Sequence, residues 1–207
     1  MKGLILLLLL AQAVFGAGLD PSEVGVKVLA VYLSKDPYCS SPIEVFTTQE
    51  PGFVDFIGGP TIGQLDNSKF HYDGTYRCVA IKMSETVQFV PNLGTGICAA
   101  GTRFETNLCN AGMTTTGIDG TTSTCTAAGT DNVFIYLSTG STAATFNAST
   151  NPFIPPTIAA PNNGINLAVP ITINGSLNAR LIFNAYGRIE VLNGTCQINN
   201  PGISLGL

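Results

Sequence analysis

Tryptophan is absent, histidine occurs once, and only 11% of the residues are charged. Each shortage removes a class of function. Without Trp the chain lacks the broadest aromatic platform on which sugar rings stack. With His71 as the one histidine, a Ser-His-Asp or Cys-His system would have to run through it, and no G-x-S-x-G elbow accompanies it. Its setting, "KFHYDGTY", reads as the approach to a strand, so His71 is expected on a turn or surface. Basic residues are few as well: 9 Lys and Arg stand against 13 Asp and Glu, for a net charge of −4 and a pI near 4.8. No basic run exists, which excludes nucleic acid as a partner, because displacing phosphate counterions needs clustered cations. Beyond the N-terminal stretch there is no run of about 18 apolar residues, so no transmembrane segment is expected. Helical periodicity is missing too.

What is present begins with "MKGLILLLLLAQAVFGAG". One positive charge at Lys2 precedes a short apolar run from Leu4 to about Leu10, and small residues follow. That pattern is a secretory signal peptide, residues 1–16, with Val14 and Gly16 at the two positions a signal peptidase requires to be small. The nearest cysteine downstream is Cys39, so a lipoprotein anchor is not expected. Residues 17–207 remain, enough for a single domain with a substantial core. Thr, Asn, Gly and Ser are abundant, and a surface built from neutral hydroxyls and amides is typical of extracellular β proteins.

Six cysteines, Cys39, Cys78, Cys98, Cys109, Cys125 and Cys196, form an even set in an exported chain and read as three disulfides. The expected pairs are Cys39 with Cys78, Cys98 with Cys109, and Cys125 with Cys196. In the chain-entropy treatment the first contributes roughly 4 kcal/mol. Zinc is not expected, because close Cys or His pairs are lacking.

The β-branched run "VGVKVLAVYL" (24–33) predicts a buried strand that ends at the turn-prone "SKDPYCSSP". "IEVFTT" and "FVDFI" predict short strands, "GGPTIGQLDN" a loop, and "TVQFVP" an extended path to Pro91. Residues 110–131 contain so much Gly, Thr and Ala that a surface excursion tethered by Cys125 is expected. "NVFIYLS" (132–138) is again a strand. A second long loop, 147–164, is rich in Pro and Asn and reads as a linker or as a strap over a sheet edge. The C-terminal third predicts a meander, "LAVPITI", "SLNARLIFNA", "RIEVLN" and "GTCQI", joined by tight turns. Asn174-Gly175 is its strongest hairpin signal, since both central residues of a type I′ turn need positive φ. The fold class expected is all-β, an immunoglobulin-like or prealbumin-like β-sandwich.

The stretch "YDGTYRCVAIKMSE" (72–85) resembles the F-strand signature of immunoglobulin domains, where Asp, Tyr and Cys are spaced around a corner. The match is incomplete: Asp73 sits one residue too close to Tyr76, and the core Trp is missing. Period-two alternation puts Val79, Ile81 and Met83 on the more apolar face and Cys78 on the other, so Cys78 is expected at a flank, bonded to Cys39, away from the middle of the core. The chain more closely resembles a group of uncharacterised exported proteins of Gram-negative bacteria. The likeness lies in "VYLSKDPYCSSPIEVF", "DGTYRCVAIKMSETVQFVP" and "GICAAGTRFETNLC", roughly residues 24–110. It implies an envelope or secreted β-sandwich with no catalytic residues to carry over.

The remaining chemistry is sparse. Asp55, Asp66, Asp73, Glu85, Glu105 and Glu190 are the carboxylates from which a glycosidase pair would be drawn, yet no spacing singles out two of them. Tyr32, Tyr72, Tyr76, Tyr136 and Tyr186 are the available stacking groups. Asp119 and Asp131 lie in loops whose oxygens suit calcium, but without a regular ligand ladder they read as turn formers. Asn147, Asn174 and Asn193 begin N-x-S/T sequons, which would carry glycans only in a eukaryotic cell. No cofactor is expected. Three functions follow in order: a non-enzymatic cell-envelope, periplasmic or secreted protein that binds or assembles through sheet faces, edges or loops; a carbohydrate-binding or adhesin-like module; and a hydrolase using paired carboxylates. The partner would be a protein or a glycan at the cell surface.

Overall fold

A computed structural model describes residues 18–49, 51–56, 72–94, 96–126, 128–144, 150–174, 180–199 and 201–206. The signal peptide, His71, Asp66, Asn147 and the loop "GGPTIGQLDN" lie outside those residues. Within them the chain is all-β and holds three disulfides.

Two long strands form the spine: β1 (Pro21–Ser34) and β5 (Cys78–Pro91) run antiparallel from Pro21↔Pro91 to Ser34↔Cys78. On the far side of β1 lie β2 (Ile43–Thr47) and β3 (Val54–Asp55). On the far side of β5 lie β6 (Phe104–Asn107) along its C-terminal half and β9 (Asn132–Ser138) along its N-terminal half. The two-residue β10 (Ile165–Asn166) runs parallel to β9 and completes the sheet.

The alternation of β5 places Val79, Ile81, Met83, Val87 and Phe89 in the main hydrophobic core. Strand β1 reaches the same core by switching parity. Val24, Val26 and Val28 face it before a register shift, and Val31 and Leu33 after it. One extra residue turns every later side chain to the other face, so this irregularity is what lets a continuous apolar run serve a single core. The parity it displaces, Ala30 and Tyr32, joins Cys39, Cys78, Ala80 and Tyr136 in a second cluster. Cys78 therefore stands on the less apolar face and bonds Cys39, as the strand period requires.

Short ladders complete the main core. Strand β4 (Gly74–Tyr76) pairs with β11 (Ile171–Ile173), and β12 (Arg180–Asn184) with β15 (Gly202–Gly206). Between the last two lies the hairpin of β13 (Ile189–Leu192) and β14 (Thr195–Ile198). Its turn, Asn193-Gly194, has φ of 50° and 77°, the double positive φ of type I′. The expected meander is corrected here. The hairpin expected at Asn174-Gly175 lies outside the described residues; among those described, β11 pairs with β4, and β12 pairs with β15 instead of its successor β13, with Ile171, Ile173, Phe183 and Ile203 all buried.

Two disulfide expectations are corrected as well. Cys98 bonds Cys196, and Cys109 bonds Cys125. The 3₁₀ turn Gly96–Cys98 packs against β13 and β14, which brings Cys98 to Cys196, while the hairpin of β7 (Thr114–Thr116) and β8 (Thr122–Thr124) returns Cys125 to Cys109. The expected surface excursion is tethered at Cys125 and ordered as this hairpin, whose Thr115 is buried with its Oγ1 accepting the Phe134 N–H at 3.4 Å.

The described part of the second long loop is a strap. Pro152 C=O accepts the Tyr136 N–H at 3.0 Å, Phe153 is fully buried, and Leu167 N–H donates to Ser138 C=O at 2.9 Å. With Thr115 and β10, it covers the outer edge of β9 along its length.

The Tyr76 hydroxyl donates to the Tyr72 carbonyl at 2.8 Å in a buried corner. Tyr76 and Cys78 nevertheless belong to different sheets, since the chain bends at Arg77 between β4 and β5.

Candidate functional site

Strands β9 and β6 meet end to end against β5, and the residue at the seam is Glu85. Its N–H donates to Asp131 C=O at 3.1 Å, and its C=O accepts from Leu108 N–H at 2.9 Å, so one backbone bond reaches each neighbouring segment. The side chain falls on the parity of Ile81, Met83 and Val87 and is fully buried. Oε1 accepts the Asp131 N–H at 3.2 Å, and Oε2 has no hydrogen-bond partner among the described residues. Burial raises the Glu85 carboxyl above its ordinary value, and the amides of Asp131 and Gly129 offset part of that rise.

Beside this seam lies a cleft of about 450 Å³, a volume in the range of small-ligand sites. Its walls include Glu105, Thr106 and Asn107 of β6, Asn110, Gly129 and the Thr195–Gln197 segment of β14. Consecutive residues of a strand point to opposite faces. The cleft touches Glu105, Thr106 and Asn107 together and also Thr86, which pairs with Asn107 across the β5–β6 ladder, so it lies along β6 and reaches over onto β5. Gly129 is required at its rim: its φ is 70°, and a Cβ there would stand 3.0 Å from Asn107 Oδ1 and 3.2 Å from Thr86 Oγ1.

Part of the cleft's bonding capacity is spent internally. The Thr86 hydroxyl donates to Gly129 C=O at 2.7 Å, Gln88 Nε2 to Glu105 Oε1 at 2.7 Å, and the Thr195 hydroxyl to Leu192 C=O at 2.8 Å. Glu105 Oε2, Asn107 Nδ2, the Thr106 hydroxyl and the Asn110 amide have no partner among the described residues. No Lys or Arg lines the cleft. The two disulfides Cys98–Cys196 and Cys109–Cys125 stiffen it, Cys196 forming part of the wall and Cys109 preceding Asn110.

The residues singled out by sequence are scattered. Glu105 hydrogen-bonds Gln88 and shares its face, whereas Glu85 falls on the opposite, core-facing parity and is fully buried, so these two carboxylates are divided by the sheet. Asp55 accepts the Val24 N–H, and Glu190 accepts from Asn199 Nδ2. Four of the tyrosines considered for stacking, Tyr32, Tyr72, Tyr76 and Tyr136, are at most 9% exposed, and only Tyr186 of that set reaches solvent, at 63%. Tyr32 donates to Glu44 Oε2 at 2.9 Å, and burial together with that carboxylate pushes its hydroxyl up to about 12. Asp119 and Asp131 are turn formers. Each accepts a backbone N–H and a hydroxyl, from Thr121 and Thr126 respectively, and these bonds lower both carboxyls.

Sequence reasoning placed Glu85 only among six carboxylates that no spacing distinguished. The signal that would have found it is parity, since it is the one acid in a series of core-facing positions on β5. Asn107 and Asn110 carried no signal, because a polar edge strand is unremarkable until its neighbour is seen. No helix of the described residues is long and apolar enough to cross a membrane. No family model, no curated protein and no solved structure matches this chain.

Proposed function

We propose that this chain is an exported, non-enzymatic binding module of the cell envelope or extracellular space, a β-sandwich whose second layer is broken into two-stranded ladders. The observation that carries the reading is the cleft along β6, a disulfide-braced recess with uncommitted amide, hydroxyl and carboxylate groups. Three disulfides are consistent with an oxidising compartment, and the apolar N-terminus supplies the export signal. The likeness to exported Gram-negative proteins belongs to the same reading. Binding is favoured over hydrolysis because Glu105 is the one carboxylate in the cleft wall, and Glu85 lies across the sheet from it.

Ala111 lines the cleft and is exposed, so Ala111→Arg fills the recess without disturbing the core. Wild-type protein and this variant, immobilised side by side, would be offered an envelope extract and a glycan array. Association that the variant loses supports the assignment. Equal behaviour of the two, or no association by either, defeats it.

A further inference from the structure

The hydrogen-bond pattern of β6 says what kind of ligand the cleft is built to receive. In an antiparallel ladder, residues alternate between pairs that bond to the partner strand and pairs that turn their N–H and C=O away. Leu108 N–H bonds Glu85 C=O, which fixes the phase. The register Val87↔Thr106 and Phe89↔Phe104 then makes Thr106 and Phe104 the residues bonded to β5. Glu105 and Asn107 direct their backbone N–H and C=O outward, away from β5, and both residues line the cleft. No described residue satisfies them. The opposite treatment of β9 is informative: Thr115, Pro152 and β10 together cover its outer edge. The opposite sheet margin, β2 and β3, carries exposed Ile43 and Val54. What distinguishes β6 is the recess running beside it.

We infer that the cleft takes an extended peptide of another protein, which adds to β6 as a further strand through the backbone groups of Glu105 and Asn107. This rests on the binding reading above and names the ligand class of the same site. Strand addition draws affinity from main-chain bonds and specificity from flanking side chains. Here the flanking chemistry is the free Glu105 Oε2 and Asn107 Nδ2, with no cation in the wall. The peptide therefore carries Lys or Arg at the residue opposite Glu105 and small polar residues beside it. The four residues of β6 would engage a similar number of peptide residues, about 13 Å of extended chain.

The test uses the disulfide-intact protein and a phage-displayed library of random peptides, with the selected sequence then synthesised. Asn107→Pro deletes the outward N–H while leaving the β5 ladder untouched, a place where an edge strand accepts proline. Asn107→Ala removes only the side chain. Binding is expected to fall at least tenfold in Asn107→Pro and less than threefold in Asn107→Ala, with Glu105→Gln weakening basic peptides selectively. Should Asn107→Pro fail to fold, N-methylation of alternate peptide residues reads the same bonds from the other side, and a tenfold loss at every second position is expected. Selected peptides indifferent to both changes overturn the inference. A glycan-array ligand displaced by Ala111→Arg would also overturn it, replacing peptide by saccharide while the cleft keeps its role. A cleft that binds neither defeats this inference and the binding assignment together.

Discussion

Replacing Glu85 by Gln should change how stability depends on pH, and the direction can be derived from its surroundings. The carboxyl is fully buried, with one oxygen bonded to the Asp131 amide and the other unpartnered among the described residues. Burial disfavours the charged form, so the folded-state value lies above the unfolded one. Below the unfolded value both states are protonated and ionisation adds no penalty. As pH rises through the interval between the two values, the unfolded chain releases its proton first, and folding loses stability; above the folded value the whole penalty is present. An unpaired buried polar group costs about 1–3 kcal/mol, and one charge-assisted bond to Asp131 returns part of what ionisation demands. Gln has the same shape and cannot ionise. Urea titrations at pH 4 and pH 8 should therefore show Glu85→Gln close to wild type at pH 4 and more stable by about 1–3 kcal/mol at pH 8. Comparing the variant with wild type at each pH is essential, because Asp36, Asp119 and Asp131 have lowered values and pull the overall profile the other way. A difference that is the same at both pH values, or larger at pH 4, refutes the reasoning.

Removing the long cross-link should cost more than removing the short one. Cys98 and Cys196 are 98 residues apart and Cys109 and Cys125 are 16 apart, so paired alanine variants are expected to lose about 5 and about 3 kcal/mol respectively by denaturant unfolding. The reverse order would contradict the pairing. Tyr76→Phe leaves the Tyr72 carbonyl without its buried donor and should lower stability by about 1 kcal/mol. Gly194→Ala places an L residue at φ 77° with no atom near the new Cβ, a backbone cost of roughly 1–2 kcal/mol. Gly94→Ala should be worse, since its Cβ would meet Cys98 O at 2.1 Å and displace the turn that delivers the disulfide. Thermal melts of the two variants check that ranking.

Strands β1, β5 and β9 were legible because each concentrates β-branched and aromatic residues between turn formers, and the period of β5 was enough to place Cys78 on the flank with Cys39. The Asn193-Gly194 turn was legible for the reason that its backbone demands positive φ twice. The other two disulfides were not, because sequence distance says nothing about which loops pack together: Cys98 reaches Cys196 only through the contact of its 3₁₀ turn with the last hairpin. The threonine hairpin looked too polar to order itself. Its order comes from elsewhere, through Thr115 bonded to β9 and the Thr116 carbonyl accepting the Tyr136 hydroxyl at 2.7 Å. The cleft was invisible for the same reason, being assembled from β6, the residues flanking two cysteines, and a hairpin nearly a hundred positions away.

The cross-links that flank the cleft have a practical corollary for anyone producing this protein. Reduction would leave the spine of β1 and β5 its extensive pairing but would slacken the recess, whose wall includes Cys196 and whose next side, Asn110, follows Cys109. Material made in a reducing cytosol would pass a check of secondary structure while failing as a recognition reagent.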